Sequence, residues 1–241
     1  MRYTLKNIDS TSTELRRRMS AEELPHGYCI SADFQTAGHG QATNHWESED
    51  GKNLLFSLLL RPSVIPASEQ FVITEIVTLA IINALQDYIR QRITIKWPND
   101  IRIDGKKVAG ILAEAVIDKD CLQGLVLGFG VNLNSKMEEV TSIDQPATSL
   151  NLEIGMEINR EIFLKKVIEK FCLRYNRFIE EGFLFIKEDY IRRAEFLNDT
   201  VTVKVFDKDI TGVVKEITDN GALKIIDKNN KEHVLLIGDI L

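Results

Sequence analysis

The chain has 241 residues, of which 44% are hydrophobic, which is enough apolar material for one or two packed domains. Its formal net charge of -6 argues against a nucleic-acid partner, because surfaces that follow phosphates depend on clustered lysine and arginine. The first ten residues lack the apolar core of a signal peptide, and no run of 18 apolar residues occurs, so we expect a cytoplasmic protein with no membrane partner.

A hydroxyl-rich run comes before the first predicted helix. Ser10, Thr11 and Ser12 stand ahead of Glu14, and a hydroxyl followed three residues later by glutamate is typical of a helix N-terminus. Capping alone accounts for these side chains. The same position also offers backbone donors and a favourable field to an anionic or carbonyl-rich ligand, so both interpretations stand.

The next segments predict a strand, a loop, a second strand and a helix. The strand at 28–34 leads into Gln35 and then into residues 36–46, which we call the flap. Its glycines and small polar residues bury too little surface to order it alone, so we expect a mobile flap, with an ordinary surface loop as the alternative. A buried strand at 53–60 follows, and the helical spacing over 68–92 predicts a core-packing helix with Glu69, Glu75, Asp87 and Arg90 on its outer face.

The run from 96 to 114, KWPNDIRIDGKKVAGILAE, holds charged side chains close to a buried sheet. Trp97 precedes a proline and is pushed toward an extended conformation, which ends one strand and turns Asn99 and Asp100 into a tight bend. Asp-Gly at 104–105 predicts a hairpin, so Lys107 falls on the first residues of the returning strand. A lysine held on a sheet is a well-aimed cation, although a solvated strand end is the alternative.

The remaining segments complete the predicted fold. A strand at 121–134 contains Gly128 and Gly130, which either admit a ligand or mark a bulge or close sheet packing. Asn159 predicts the cap of a helix running to about residue 181, and a second helix is expected over 183–197. Short strands at 201–206, 210–217, 222–226 and 233–237, separated by tight turns, predict a small barrel.

The motif KWPND at 96–100, followed by GKKVAGIL at 105–112, closely resembles the signature of the biotin protein ligases. The resemblance extends over nearly the whole chain and includes Ala-Thr-Ser-Leu at 147–150. It implies an α+β fold: a mixed-sheet catalytic domain of the biotin/lipoate ligase, class II synthetase-like type at residues 1–196, and a C-terminal SH3-like β-barrel domain at 197–241.

The resemblance also implies a reaction and its partners. Such an enzyme joins biotin to ATP as biotinyl-5′-AMP, with Mg²⁺ on the phosphates, and passes the biotinyl group to one lysine of a biotin carboxyl carrier protein domain of a biotin-dependent carboxylase. Relatives pair through exposed sheet edges in some cases, so a monomer and a homodimer are both open.

The family's functional residues map onto positions of this sequence. Lys107 is the expected catalytic cation, and Asp100 is expected to organise metal or the incoming lysine. The positions expected to bind biotin are Ser10, Thr11, Ser12, Gln35, Gly38, His39, Gly40, Gln41, Lys107, Gly128 and Gly130. Those expected to bind ATP are Trp46, Asn53, Lys96, Asn99, Lys107 and Asn132.

The flap departs from the family pattern, which is Gly-Arg-Gly-Arg-x-Gly. His39 and Gln41 stand where arginines are usual, and Thr43 replaces the last glycine. An arginine contact to phosphate contributes about 1.5 to 3 kcal/mol, so its loss predicts roughly ten- to hundredfold weaker retention of the adenylate. Ser12 also replaces a more usual asparagine.

Three other functions are weighed against the biotin ligase. A lipoate or octanoate ligase shares the fold but fits the KWPND and KKVAGI runs less well, and a catalytically weakened biotin-binding protein is suggested by the missing arginines. A biotin-sensing repressor needs a helix-turn-helix, for which the sequence ahead of Ser10 has no room. The cysteines and histidines lack zinc-binding spacing, so no metal ligand set is predicted.

Overall fold

The computed structural model describes residues 2–40, 44–61, 71–118, 121–141, 145–182 and 184–241. Its helices are α1 Thr11–Ala21, α2 Phe71–Leu85, α3 Met137–Thr141, α4 Leu150–Ile154, α5 Arg160–Glu181 and α6 Leu184–Ile191. Its strands are β1 Arg2–Ile8, β2 Cys29–Gln35, β3 Leu54–Leu60, β4 Ile93–Lys96, β5 Asp100–Ile103, β6 Lys106–Asp118, β7 Cys121–Val131, β8 Thr200–Val205, β9 Lys208–Ile217, β10 Leu223–Ile226, β11 Glu232–Leu235 and β12 Asp239–Ile240.

A mixed seven-stranded sheet forms the larger layer, in the order β1-β2-β3-β7-β6-β5-β4. β1 runs parallel to β2, and the other neighbours are antiparallel. β3 is buried at every position because β2 and β7 flank it and other elements cover both of its faces. This agrees with the predicted α+β fold, although β1 was not predicted, since its mostly exposed edge position leaves no apolar alternation to detect.

The turns predicted around the KWPND motif are present. The Trp97–Pro98 peptide bond is cis, and the backbone reverses there between β4 and β5. Asp104 and Gly105 both have positive φ, of 46° and 79°, the conformation of a tight two-residue hairpin turn. Lys107 is therefore the second residue of β6, as predicted.

Helix α2 differs from its prediction in its length and in the environment of Glu75. It ends at Leu85, seven residues before the predicted end, because residues 86–88 form a turn; the expected start at 68 and Glu69 lie outside the described residues. Glu75, expected on an outer face, is only 4% exposed. The reason is that α2 is covered on nearly all sides, by β6, α5, α6 and its other neighbours, so it has no solvated face at this turn.

Glu75 predicts a pH-dependent stability. Burial raises its pKa to about 8, the Asp219 carboxylate adds to the rise, and Lys187 opposes it. The folded state therefore holds this proton more tightly than the unfolded chain, and stability is lost as pH rises from 4.5 through about 8. In urea unfolding we expect Glu75→Gln to match the wild type near about pH 5 and to exceed it by up to about 5 kcal/mol above about pH 8. Equal differences at both pH values would contradict this account.

The two later helices lie where the sequence predicts them, but the second is shorter than expected. Asn159 caps α5, accepting a hydrogen bond from the Ile162 N–H, and α5 ends at Glu181 as predicted. The second helix, expected over 183–197, is α6 and ends at Ile191, beyond which the chain turns and pairs with β4 through Ala194. Phe183 lies outside the described residues.

The C-terminal strands form a five-stranded antiparallel sheet in the order β11-β10-β9-β8-β12. Four of the five were predicted; the strand expected at 233–237 is β11, which ends at Leu235, and the two-residue β12 beyond it was not predicted. Apolar residues of this sheet, including Val203, Val214 and Ile225, share one buried cluster with the larger sheet. Among the described residues, no helix has the length and apolar character needed to cross a bilayer.

Candidate active site

Lys107 is fixed by backbone hydrogen bonds on both sides. It pairs with Arg102 of β5 on one side. On the other side its N–H donates to the Pro146 carbonyl and its own carbonyl accepts from the Thr148 N–H, both at 2.8 Å. The Ala-Thr-Ser-Leu segment is therefore joined to the lysine by a parallel β-bridge at Ala147, which accounts for the position of that motif in the fold.

The ammonium of Lys107 has one close carboxylate partner. Its Nζ lies 2.7 Å from Oδ1 of Asp100, and the two side chains are 18% and 12% exposed. Asp100 begins β5 directly after the turn, and its neighbour Asn99 donates from Nδ2 to the Ile111 carbonyl at 2.5 Å. The turn is thereby pinned to β6, so the cation and its carboxylate are placed by rigid backbone.

The hydroxyls at the start of α1 cap the helix and also form a polar cluster. Ser10 accepts from the Thr13 N–H, as the capping interpretation predicts. Gln35 Oε1 accepts from the Thr11 N–H at 2.8 Å and from its hydroxyl at 3.0 Å. Ser57 donates to the Thr11 hydroxyl at 2.8 Å and lies 2.9 Å from the Ser12 hydroxyl. We call Thr11, Ser12, Gln35 and Ser57 the hydroxyl cluster.

Ser57 was not predicted as a site residue. It is fully buried at the centre of β3, and the sequence marks it as the single polar side chain in the run LLFSLLL at 54–60. A buried hydroxyl in an apolar strand needs a partner, and here its partners are the two hydroxyls of α1.

The resemblance implies that the hydroxyl cluster binds biotin, so Ser57→Ala is expected to weaken biotin binding about tenfold, because the Thr11 and Ser12 hydroxyls each lose a buried partner, at a cost of about 1 to 3 kcal/mol. Titration calorimetry with biotin measures this directly. Thr78→Val is the matched control, since Thr78 is an equally buried hydroxyl that bonds only to the Thr74 carbonyl within α2. Equal loss of affinity in both variants would contradict the assignment.

The two glycines of β7 are close to side chains from other elements. A Cβ added at Gly128 would lie 2.5 Å from the Ser12 hydroxyl oxygen, and one at Gly130 would overlap the Trp46 indole. Gly110, which pairs with Gly130 across β6 and β7, also lies beneath this ring, and a Cβ added to it would lie 3.1 Å from Cζ3. Both glycines thus leave room for side chains from other elements of this chain, and ligand binding beside them stays a prediction.

Trp46 stands between the glycines and Lys107. The Lys107 ammonium is 5.8 Å from the centre of the ring, within the range of a cation–π contact. The indole Nε1 is buried and has no hydrogen-bond partner. A buried donor of this kind, beside a fixed cation, is suited to a ligand that carries acceptors.

The described limbs of the flap fold back on each other. His39 pairs with His45, the Gly40 N–H donates to the Asn44 carbonyl at 2.7 Å, and the Trp46 N–H donates to the Gly38 carbonyl at 3.0 Å. Gln41 and Thr43 lie outside the described residues.

Two expected ATP-binding amides are buried beneath the site. Asn53 is 1% exposed, and its Nδ2 donates to the Ser135 hydroxyl at 2.8 Å while its Oδ1 accepts from the Leu133 N–H. Asn132 is 4% exposed, donates to the Thr148 carbonyl and accepts from Asn53 at 3.5 Å. The Asn53 amide is therefore committed to holding the end of β7 and the segment after it.

Lys96 makes its closest polar contact with the C-terminal sheet. Its Nζ lies 2.8 Å from Oδ1 of Asp239 in β12, and its side chain is 11% exposed. A cavity of about 560 Å³ adjoins it, lined by residues of the first sheet's edge and of the C-terminal sheet. Lys107, Trp46 and the hydroxyl cluster do not line this cavity, so it does not mark the site described here.

Comparison with known proteins identifies the family of this chain. Residues 4–132 match the model of the biotin/lipoate A/B protein ligase family. The chain is similar to the bifunctional ligase/repressor BirA of Bacillus spizizenii, with 31% identity over 91% of this chain and 70% of that protein. It is also similar to the biotin–[acetyl-CoA-carboxylase] ligase of Paracoccus denitrificans, with 29% identity over 91% of both.

Solved structures give the same result. The biotin protein ligase of Aquifex aeolicus, in complex with biotin and ATP, superimposes with a TM-score of 0.80 and 27% identity over 100% of this chain and 97% of that one. The family match covers more than half of the chain, and the relatives extend it to nearly the whole length. This chain therefore belongs to the biotin/lipoate A/B protein ligase family, within which it is similar to the biotin protein ligases.

Proposed function

We propose that this chain is an ATP-dependent ligase that activates biotin as biotinyl-5′-AMP and transfers it to a lysine of a biotin carboxyl carrier protein domain. The observation that carries the proposal is the Lys107 ammonium, fixed on β6 and paired with Asp100 beside the indole of Trp46. The biotin ligase names among the relatives, and the biotin and ATP bound to the Aquifex aeolicus structure, support biotin over lipoate or octanoate.

The first step needs a cation between two anions. Attack of the biotin carboxylate on the α-phosphate of ATP brings like charges to about 4 Å, where they repel by roughly 4 kcal/mol at an effective dielectric near 20. Uncompensated, that repulsion slows attack nearly a thousandfold. Lys107 removes most of it, because its ammonium stays in place while the reactants align.

Asp100 keeps that ammonium aimed until substrate arrives. At 2.7 Å it is the close carboxylate partner of Lys107, and its own position is set by the pinned turn. When the anionic reactants enter, the ammonium exchanges part of this contact for contacts to them. Asp100 is then free to accept a proton from, or to orient, the incoming carrier lysine.

Biotin is bound by the hydroxyl cluster and packs against the glycines of β7. The ureido group of biotin offers a carbonyl acceptor and N–H donors, which suit the Thr11 and Ser12 hydroxyls and the Gln35 side chain. Gly128 leaves room for a flat ring beside Ser12. Ser10 contributes by capping α1, which holds those hydroxyls in place.

ATP is bound by Trp46, Asn99 and Asn132, with Lys96 held by Asp239 at the edge of the site. Asn53 acts indirectly, because its side chain orients Asn132 and the chain after β7. In the described residues no group of three His, Cys, Asp or Glu side chains is arranged to hold a metal ion. Mg²⁺ bound to the ATP phosphates would neutralise charge there, and Asp100 is the carboxylate of the site that would help to hold it.

Transfer of biotin to a purified carrier domain tests this proposal. With ATP and Mg²⁺, we expect a mass increase of one biotinyl group on a single carrier lysine, and no increase when biotin is replaced by lipoate or octanoate. Modification by lipoate or octanoate in preference to biotin would instead favour the rival ligase, and binding of biotin without any transfer would favour a weakened biotin-binding protein.

A further inference from the structure

A carboxylate with one unbonded oxygen lies directly beside the flap. Glu114 is on β6, and its Oε1 accepts a hydrogen bond from Arg16 Nη1 of α1 at 2.6 Å. Its Oε2 is buried and has no hydrogen-bond partner. Besides Arg16, His39 of the flap is close to this carboxylate: its Nε2 lies 3.8 Å from Oε2.

Glu114 lies on the same face of the sheet as the proposed site. Side chains alternate along a strand, so Glu114 shares its face of β6 with Gly110, which lies beneath Trp46. Arg16 is four residues beyond Ser12 and therefore projects from the same side of α1. Glu114, Arg16 and His39 thus meet at the rim of the surface that the flap covers.

The 3.8 Å gap is longer than a hydrogen bond, for which 2.7–3.2 Å is usual. A buried carboxylate oxygen left without a donor is unfavourable, and His39 can supply one from Nε2–H in a suitable neutral tautomer or in the protonated ring. A movement of the flap by about 1 Å would close the contact. Arg16 holds the other oxygen, so Glu114 is already oriented for it.

We propose that Glu114 is a positioning residue that latches the flap through His39, with Arg16 fixing its carboxylate, and that this latch slows the release of biotinyl-5′-AMP. The inference rests on the proposed function and deepens it. Because histidine and glutamine replace arginines in the flap, the flap alone retains biotinyl-5′-AMP less well. Glu114 of β6 and Arg16 of α1 supply part of the retention instead.

A double-mutant cycle tests the latch. Purified full-length protein is loaded with biotinyl-5′-AMP and chased with excess unlabelled ligand, and the release rate is measured for Glu114→Ala, His39→Ala and the double variant. We expect each single variant to release about tenfold faster, and the double variant to release no faster than either single one, because both remove the same contact.

A variant that introduces an arginine at position 39 and a matched control complete the test. In His39→Arg the longer guanidinium spans the gap, so release should be slower than in the wild type, and this gain should vanish when Glu114→Ala is added. Glu14→Ala is the control, since Glu14 also pairs with arginines of α1, with Arg17 and with Arg18 at 2.9 Å, and not with His39; its release rate should be unchanged.

Two results overturn the latch: single variants that release at the wild-type rate, or effects that multiply in the double variant. A wild-type protein that fails to bind biotinyl-5′-AMP at all would instead overturn the proposed function. Thermal unfolding of each variant separates a lost latch from a destabilised fold, since Arg16 and Glu114 also join α1 to β6.

Discussion

Lys107→Ala is expected to lower the rate of biotinyl-5′-AMP formation by roughly a thousandfold, the factor by which uncompensated repulsion of two anions slows attack. The loss should fall on the rate of the chemical step, measured by rapid quench at saturating biotin and ATP. The affinity for biotin should change much less, because in the proposed function the hydroxyl cluster binds its ring.

The neighbouring lysine provides a matched control. Lys106 pairs with Glu153 at 2.7 Å, on the opposite side of the strand from Asp100, and its side chain is 44% exposed. Lys106→Ala removes the same charge from the same strand and should alter adenylate formation by less than about threefold, the range of an exposed ion pair. If the two alanine variants lose activity equally, general charge rather than position is responsible.

Gly130→Ala is expected to raise the KM for ATP about ten- to hundredfold, the effect of overpacking by about 1 to 3 kcal/mol. The added methyl group overlaps the Trp46 indole, which must leave its place between the glycines and Lys107. Steady-state kinetics with ATP as the varied substrate measures the change, and Trp46 fluorescence should shift with it, since Trp97 is buried elsewhere in the core.

Gly110→Ala is a milder substitution with which Gly130→Ala can be compared. It touches the same indole from the neighbouring strand, but its Cβ would lie 3.1 Å from the ring, a distance that a small tilt of the indole relieves. Its effect on the KM for ATP should therefore be clearly smaller. A reversed order of the two variants would mean that Trp46 does not bear on nucleotide binding.

Local rules predicted most of the elements and the central turn. Asp-Gly at 104–105 and the proline after Trp97 act through neighbouring backbone alone, so the hairpin and the position of Lys107 followed from the sequence. The cap at Asn159 is equally local. Features that depend on distant partners were harder to predict. Examples are β1, a mostly exposed edge strand, and the burial of Glu75, which is enclosed by elements that follow it in the chain.

The site residues that belong to a sequence motif were predicted. The residues that reach the site only through tertiary contacts were missed. Lys107 and Asp100 stood in the motif, and the structure brings them to 2.7 Å. Ser57, Glu114 and Asp239 reach the site from a strand core, a strand face and the C-terminal sheet, each at a sequence distance that no spacing rule spans. Only Ser57 left a trace in the sequence, as a hydroxyl among leucines.

The most direct measurement of the central claim is biotin-dependent exchange of labelled pyrophosphate into ATP by the purified chain. Reversible adenylate formation incorporates label only when biotin, ATP and a working Lys107 are all present, so we expect exchange in the wild type and none above background in Lys107→Ala. Exchange that persists without Lys107, or a wild-type chain that binds biotin yet exchanges no label, would contradict the account.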